Sequence, residues 1–259
     1  GFGRIGAVIS LKSAREIEIM RRANVIVAEV LQELKQRVAP GVTTLELDAL
    51  AEEQTLKRKA IPAFKGYNVA GRVYRHCLCA SVNDEIVHGI PSHRALREGD
   101  IIGLDYGVIH EGFYGDSAIT VGVGKVSKEA QRLMEITEES LYKGIEQLHD
   151  GKRLGDLGSV VQKIAESAGY SVVRAFVGHG IGKKLHEEPP VPNYGEPDRG
   201  LRLKEGMVLA IEPMVNVGGY EVEIKDDGWT AVTKDGSLAA HFEHSVAITK
   251  NGPYILSQL

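Results

Sequence analysis

The chain repeats itself. Four local signals recur in the same order at a nearly constant offset. Helix starts at Ser13 and Ser127 lie 114 residues apart, and helix stops at Gly41 and Gly151 lie 110 apart. Ala63-Phe64 and Ala175-Phe176 are offset by 112. Gly99 to Asp105 and Gly206 to Glu212 share the form Gly, five residues, acid, at an offset of 107. No single pair carries the argument; the shared order does. A helix-helix-strand-hairpin unit used twice makes two related halves, at about 9–125 and 126–259, within one domain over 9–259. Helices and antiparallel strand pairs in this order imply a mixed α/β (α+β) architecture with a pseudo-two-fold axis and an antiparallel central sheet. The natural place for a site is between the halves, with Asp105 and Glu212 as symmetry mates facing one another.

Local signals support that frame. Ser13-Ala-Arg-Glu16 and Thr43-Thr-Leu-Glu46 are capping boxes. They open helices to about Val38 and Lys59, the first with an apolar stripe from Ile17 to Leu34. Ser127 to His149 and Leu154 to Ala168 read as the second pair. Cys77–Val87, Ser171–Val177, Gly206–Ile211, about 220–225 and about 242–248 read as strands. Gly178-His-Gly-Ile-Gly182 reads as a loop. The histidines at 76, 93, 110, 149, 241 and 244 read as surface or hydrogen-bonding groups.

Within the first half, Ile101 to Val121 reads as a hairpin turning at His110-Glu111-Gly112. It carries Asp105 and Asp116 in apolar, Gly-spaced strands. A buried acid is costly unless a cationic partner or a metal ion neutralises it. Two surface acids beside a turn is the plain alternative. His179, Glu212 and Glu243 also stand in strand or strand-end contexts. Four carboxylates in one core repel, and two divalent cations cancel their charge. Oxygen donors with one imidazole suit Mn²⁺, Fe²⁺, Co²⁺ or Zn²⁺.

Composition excludes other classes. A net charge of −4 argues against a nucleic-acid-binding face. No apolar run approaches the roughly 18 residues of a membrane span. Cys77 and Cys79 on one strand face would sit about 6.6 Å apart, too far for an unstrained disulfide. A reduced, cytoplasmic protein fits this. Residues 1–8 read as an N-terminal tail or expression remnant, without an initiator Met or a signal-peptide core.

These spaced residues resemble the type I methionine aminopeptidases. The match runs through Pro40-Gly-Val-Thr-Thr-Leu-Glu-Leu47, Pro62-Ala-Phe-Lys-Gly-Tyr67 and Ser81-Val-Asn-Asp-Glu-Ile-Val-His-Gly-Ile-Pro91. It continues through Asp105, Asp116, Gly178-His-Gly-Ile-Gly182, His186-Glu-Glu-Pro189, Glu212-Pro-Met214 and Glu243-His244. It covers about Ile9 to Ile255. The resemblance implies the pita-bread fold, in agreement with the repeat. It implies a dinuclear metal hydrolase that removes the N-terminal Met when the second residue is small.

By that resemblance, Asp116 and Glu243 bridge two divalent ions (Co, Mn, Fe(II) or Zn). Asp105 holds the second ion, and His179 and Glu212 complete the first. Water held between the ions attacks the first peptide carbonyl, and Glu212 is the general base. His88 and His186 contact the scissile amide and its carbonyl. Phe64, Tyr67, Cys79, Leu185 and Trp229 line the pocket for the Met side chain. Implied partners are peptides and nascent chains beginning with Met, with the ribosome as a candidate contact, and the protein as a monomer that needs neither membrane nor nucleic acid.

Leu185 departs from the family's usual Phe, Ile61 lies near a pocket Cys of some relatives, and Asn68–His76 is rearranged. Prolidase-type enzymes carry an additional N-terminal domain, absent from this sequence. Type II methionine aminopeptidases insert a helical subdomain between the metal His and the next Glu; only residues 180–211 lie between His179 and Glu212. A binding module of this fold would have lost ligands.

Overall fold

A computed structural model describes residues 8–259. Most of the tail expected over 1–8 lies outside the described residues. In the first half, helices α1 (Ala14–Arg37) and α2 (Thr44–Lys57) precede short strands β1 (Ile61–Pro62), β2 (Asn68–Val69) and β3 (Arg72–Val73). Then come β4 (Cys79–Val82), β5 (Glu85–Val87) and the long pair β6 (Ile101–His110) and β7 (Phe113–Gly122). The second half opens with α3 (Lys128–Ile145) and α4 (Leu154–Ser167), then β8 (Ser171–Val172), β9 (Gly178–Gly180), β10 (Glu187–Val191) and β11 (Val208–Ile211). It closes with β12 (Met214–Asn216), β13 (Val222–Ile224), β14 (Ala231–Thr233), β15 (Ala239–His241), β16 (His244–Thr249) and β17 (Gly252–Ile255).

Both capping boxes form. Ser13 Oγ accepts from Glu16 N at 3.1 Å while Glu16 Oε1 accepts from Ser13 N at 3.0 Å. Thr43 and Glu46 repeat the exchange at 3.2 and 2.6 Å. Helix α1 buries Met20, Ala23, Val27, Val30, Leu31 and Leu34 on one face, and it packs on β6 and β7. Each large apolar side chain there contributes about 1.5–3 kcal/mol. Leu34→Ala, at a site with no solvent exposure, is expected to cost about 2–5 kcal/mol.

Strands β6 and β7 join through the two-residue turn Glu111–Gly112, with φ of 52° and 84°. Positive φ at both positions matches the strands' twist. The sheet β1-β6-β4, with β7 also on β6, and the sheet β10-β9-β11-β16-β17 meet along β7 and β16. There Ala118 of β7 and Glu243 exchange both backbone hydrogen bonds, at 3.1 and 2.9 Å. Apolar clusters fill each half, around Leu104 and Leu31 in the first and around Leu133 and Leu209 in the second.

This is the pita-bread architecture, and its strand pairings among the described residues are antiparallel. The helix pairs recur as the repeat predicts. The hairpin does not: β11 and β16 pair directly, but β12 to β15 lie between them in the chain. That excursion builds a wall that the first half lacks.

Several local readings need correction. Gly178–Gly182 contains strand β9, not only loop. Its glycines permit close approach rather than freedom. A Cβ at Gly178 would lie 2.2 Å from the Ala210 carbonyl, and one at Gly180 2.2 Å from that of Glu188. The expected strand Ser171–Val177 keeps two strand residues before turning away towards the cavity. The strand expected over 242–248 begins at His244, as β16; β15 ends at His241 before it, and Glu243 between them bridges to β7. Strand β4 begins at Cys79, so Cys77 shares no strand face with it; both thiols are free and buried. No helix among the described residues is long and apolar enough to cross a membrane.

Candidate metal centre and active site

The acids of the first hairpin share a face because of its register. Asp105 pairs with Ala118, so Asp116 is its diagonal neighbour across β6 and β7. The second half repeats the device. His179 on β9 pairs with Ala210 on β11, which sets Glu212, two residues on, diagonally beside it. The β11–β16 register, Ile211 on His244, carried one residue further sets Glu212 opposite Glu243. The junction then ties the two halves together. Ser117 Oγ donates to Glu243 O and Ser245 Oγ to Asp116 O, each at 2.7 Å. From behind, Asn24 of α1 accepts from Asp116 N at 3.1 Å.

Ligand atoms of Asp116, His179, Glu212 and Glu243 all lie within 4.8 Å of one another. Those of Asp105, His241 and Glu243 form a second such group. Glu243 belongs to both. Asp105 falls in one group and Glu212 in the other, and the charge of Glu212 is felt at Asp105. His241 was expected at the surface or in a hydrogen bond. It is instead buried, its Nε2 3.7 Å from Glu243 Oε1 and without a hydrogen-bond partner.

Electrostatics tests whether these residues fit divalent cations. Asp105 Oδ1, Asp116 Oδ1 and Glu243 Oε2 are buried and unpartnered. Such atoms are costly unless a ligand satisfies them. Burial, then the like charge of Asp116, pushes both Asp105 and Glu243 well above the usual carboxylate range. Burial also raises Glu212. His179 Nδ1 lies 2.8 Å from the Gly180 carbonyl, which assigns its proton there. Its Nε2 then faces Asp116 Oδ2 at 3.4 Å and Glu212 Oε2 at 3.2 Å. Burial lowers its pKa, but hydrogen bonds to these two acids raise it well above the ordinary value, so the imidazole holds a proton where a cation would take its place. Carboxylate lone pairs converging on one small volume repel without a cation. A second-layer carbonyl fixing the imidazole is the usual partner of a metal-ligating His. The donor set fits two divalent ions.

These groups lie in the wall of a cavity of about 690 Å³. Phe64, Tyr67, Cys79, Leu185 and Trp229, all expected in the pocket, line it, and so do His88 and His186. Leu185 is buried in an apolar cluster with Met20 and Phe113, with Phe64 and Tyr67 packed against it. Burial holds the Cys79 thiol far above its ordinary range, so it serves as wall and not as nucleophile. Tyr67 Oη lies 2.7 Å from His186 Nδ1, and the His186 ring stands 4.4 Å from that of His179. The His88 ring meets Phe176 edge-on, with centroids 5.3 Å apart. Burial pushes His88 down to about 4, so it is neutral at pH 7.

Some lining residues escaped the sequence reading. Tyr74 is buried, packs edge-on against Trp229 at 5.2 Å, and donates to the Leu78 carbonyl at 2.7 Å. Phe176, Met214 and Ile224 complete the wall. Their one signal was apolar character beside matched motifs. The rearranged segment 68–76 contains the β2–β3 hairpin, and Arg72 Nη1 donates to the Gly228 carbonyl at 2.8 Å.

The chain is similar to known proteins over nearly its whole length. The model of metallopeptidase family M24 matches residues 18–250. A methionine aminopeptidase of Clostridium acetobutylicum is 53% identical over 251 residues, covering 96% of this chain and 99% of the relative. The crystal structure of methionine aminopeptidase from Thermotoga maritima superposes with a TM-score of 0.94 at 45% identity, covering 97% of this chain and all of that one. Prolidase from Pyrococcus furiosus shares the fold, with a TM-score of 0.77 at 24% identity over 96% of this chain and 65% of that one.

Proposed function

The chain belongs to metallopeptidase family M24, and from that premise we infer that it is a metal-dependent methionine aminopeptidase. One observation carries the reading: two ligand groups that share Glu243 and hold four acids and two imidazoles between them, with buried unpartnered oxygens, at an apolar, aromatic cavity. Asp116 and Glu243 would be shared between two ions, Asp105 would hold one of them, and His179 and Glu212 the other. Divalent cations held there supply Lewis-acid chemistry, polarising a carbonyl and acidifying water.

The chain's own groups do the rest. The apolar wall of Tyr67, Cys79, Leu185 and Trp229 takes an unbranched thioether side chain. The acidic cluster favours a free α-amine at the start of the substrate, which an internal peptide bond cannot offer. Glu212 accepts the proton of the attacking water as its oxygen bonds to the first carbonyl carbon. His88 and His186 donate towards the carbonyl oxygen and the scissile amide as negative charge develops. Glu212 then returns the proton to the leaving nitrogen as the carbon–nitrogen bond breaks. Methionine and a shortened chain with a new amino terminus are the products. Peptides and newly made chains beginning with Met and a small second residue are the substrates.

The test is a competition between Met-Ala-Ser and Gly-Pro-Ala with the metal-loaded protein. Preferential cleavage of Met-Ala-Ser is expected. Preference for Gly-Pro-Ala would replace this reading with that of an X-Pro peptidase.

A further inference from the structure

Lys12 precedes the first helix and has no place in the chemistry above, yet its side chain is only 4% exposed. Its Nζ lies 2.6 Å from Glu187 Oε1. Glu187 directly follows His186, and its other oxygen, Oε2, accepts from Lys184 N at 3.2 Å. Both oxygens of one carboxylate are therefore committed, one to a segment before α1 and one to the loop that presents His186. Gly182 explains why the pair fits. A Cβ there would lie 2.6 Å from Lys12 Cε and 2.8 and 2.9 Å from the two Glu187 oxygens. The third glycine of the Gly178–Gly182 motif thus leaves room for an ion pair.

The anchor is rigid at both ends. Lys12 N donates to the Gly206 carbonyl at 2.7 Å, at the turn into β11, the strand that leads to Glu212. Glu187 opens β10, where it pairs with Gly180 beside His179. Between these points Ile181 N donates to the Val208 carbonyl at 3.2 Å, and Ile181 and Leu185 are buried in an apolar cluster, whereas residues 182–184 make few contacts of that kind. Gly182 O accepts from Tyr114 N at 2.9 Å, and Gly182 N donates to Lys184 O at 3.1 Å. His186 itself has Tyr67 as its hydrogen-bond partner.

We propose that Lys12 and Glu187 are positioning residues that act through His186, holding the 182–187 loop so that its imidazole faces the reacting amide. The inference rests on the proposed role of His186. Without the ammonium, Glu187 carries a part-buried, unpaired charge and turns towards water. Lys184 N–H then loses its acceptor and the loop loosens. A displacement of about 1 Å at a group that acts only in the transition state can cost about a hundredfold.

The test uses the metal-loaded, full-length protein with Lys12→Met, His186→Ala and the double variant, assayed on Met-Ala-Ser. Lys12→Met is expected to lower kcat ten- to a hundredfold, with KM within about threefold. In the His186→Ala background the same change is expected to cost less than about twofold, because its target is gone. A merely structural Lys12 would lower the melting temperature and leave kcat of the folded fraction alone, or would cost the same in both backgrounds. Either result overturns the inference. Hydrogen exchange reads the loop without any substrate. Amides 182–186 should exchange at least tenfold faster in Lys12→Met, while those of β11 keep their protection. Unchanged exchange at 182–186 also overturns it. If Lys12→Met does not fold, Glu187→Ala, which removes the ion pair and the acceptor of Lys184 N–H together, is read the same way. Failure of the wild type to cleave Met-Ala-Ser refutes the proposed function, and the exchange experiment still decides whether the clamp holds the loop.

Discussion

The cavity has two ends built on different principles. At the acidic end, each side chain is placed by strand register and by backbone bonds across the halves. Asp105 and Asp116 are diagonal neighbours in one ladder, His179 and Glu212 in another. At the mouth, Val69, Arg72, Ile224 and Gly228 come from short hairpins and loops. Their contacts are side chain to side chain, or side chain to backbone, between segments about 150 residues apart in sequence. The acidic end pays in buried charge for a fixed geometry that a cation then stabilises. The mouth is part-exposed, and its geometry depends on a few weak ties. Substitutions at the first should therefore change the rate of reaction, and substitutions at the second should change which substrates bind.

The largest effect sharpens the contrast. Glu212→Gln keeps the shape and removes the proposed base, so kcat should fall about 10²–10⁴-fold with the fold intact by circular dichroism. Substantial turnover in a sample verified for metal content would remove Glu212 from that role. Chelation should abolish activity and lower the melting temperature, because the acids of the cluster then face one another unneutralised. Asp105→Asn should weaken one ion more than the other in calorimetric titration, since Asp105 falls in one of the two ligand groups; two equally weakened sites would contradict that division.

The next effect is on stability and depends on pH. Burial holds folded His88 at about 4 against an ordinary 6.5. A depressed histidine favours the folded state above the unfolded value and loses that contribution as pH falls from about 6.5 to about 4. The loss approaches about 3 kcal/mol at the acid end. His88→Asn should therefore flatten the fall in urea midpoint over that window. An unchanged slope would show that His88 titrates freely. On the mouth side, Trp229→Ala should raise KM for Met peptides about tenfold with a smaller change in kcat, the pattern of lost uniform binding.

These differences also explain what the sequence disclosed. Asp105, Asp116, His179, Glu212 and Glu243 were legible because an acid or imidazole inside an apolar strand is conspicuous, and because register turns spacing into geometry. The first helix pair was legible through two capping boxes and an apolar stripe, and the second through its start at Ser127, its stop at Gly151 and the repeat. The unlike second hairpin was not, since nothing local reports that β11 must wait past four strands for β16. Strand β9 was hidden because Gly178 and Gly180 look like loop residues, and only the carbonyls of Ala210 and Glu188 show why a side chain is forbidden there. His241 looked ordinary because its burial comes from packing at the β7 junction. Tyr74 was missed for a similar reason: its partner Trp229 is distant in sequence.

The smallest effect tests the mouth itself. Arg72 makes a single hydrogen bond to the Gly228 carbonyl at an exposed position, and such a bond is worth about 0.5–1.5 kcal/mol. It nonetheless bridges the 68–73 hairpin to the loop carrying Trp229, the chain's one tryptophan. Arg72→Ala should leave the acidic end untouched, so metal titration should be unchanged. It should free the hairpin, shift the Trp229 fluorescence, and change KM for Met-Ala-Ser by no more than about threefold. Peptides with a bulkier second residue, such as Met-Val-Ser, should gain relative to Met-Ala-Ser if the hairpin narrows the mouth. Arg72→Lys, which keeps a donor, should restore part of the discrimination. A drop in kcat with KM unchanged would mean that the mouth reaches the chemistry after all, and the two ends of the cavity would have to be treated as one.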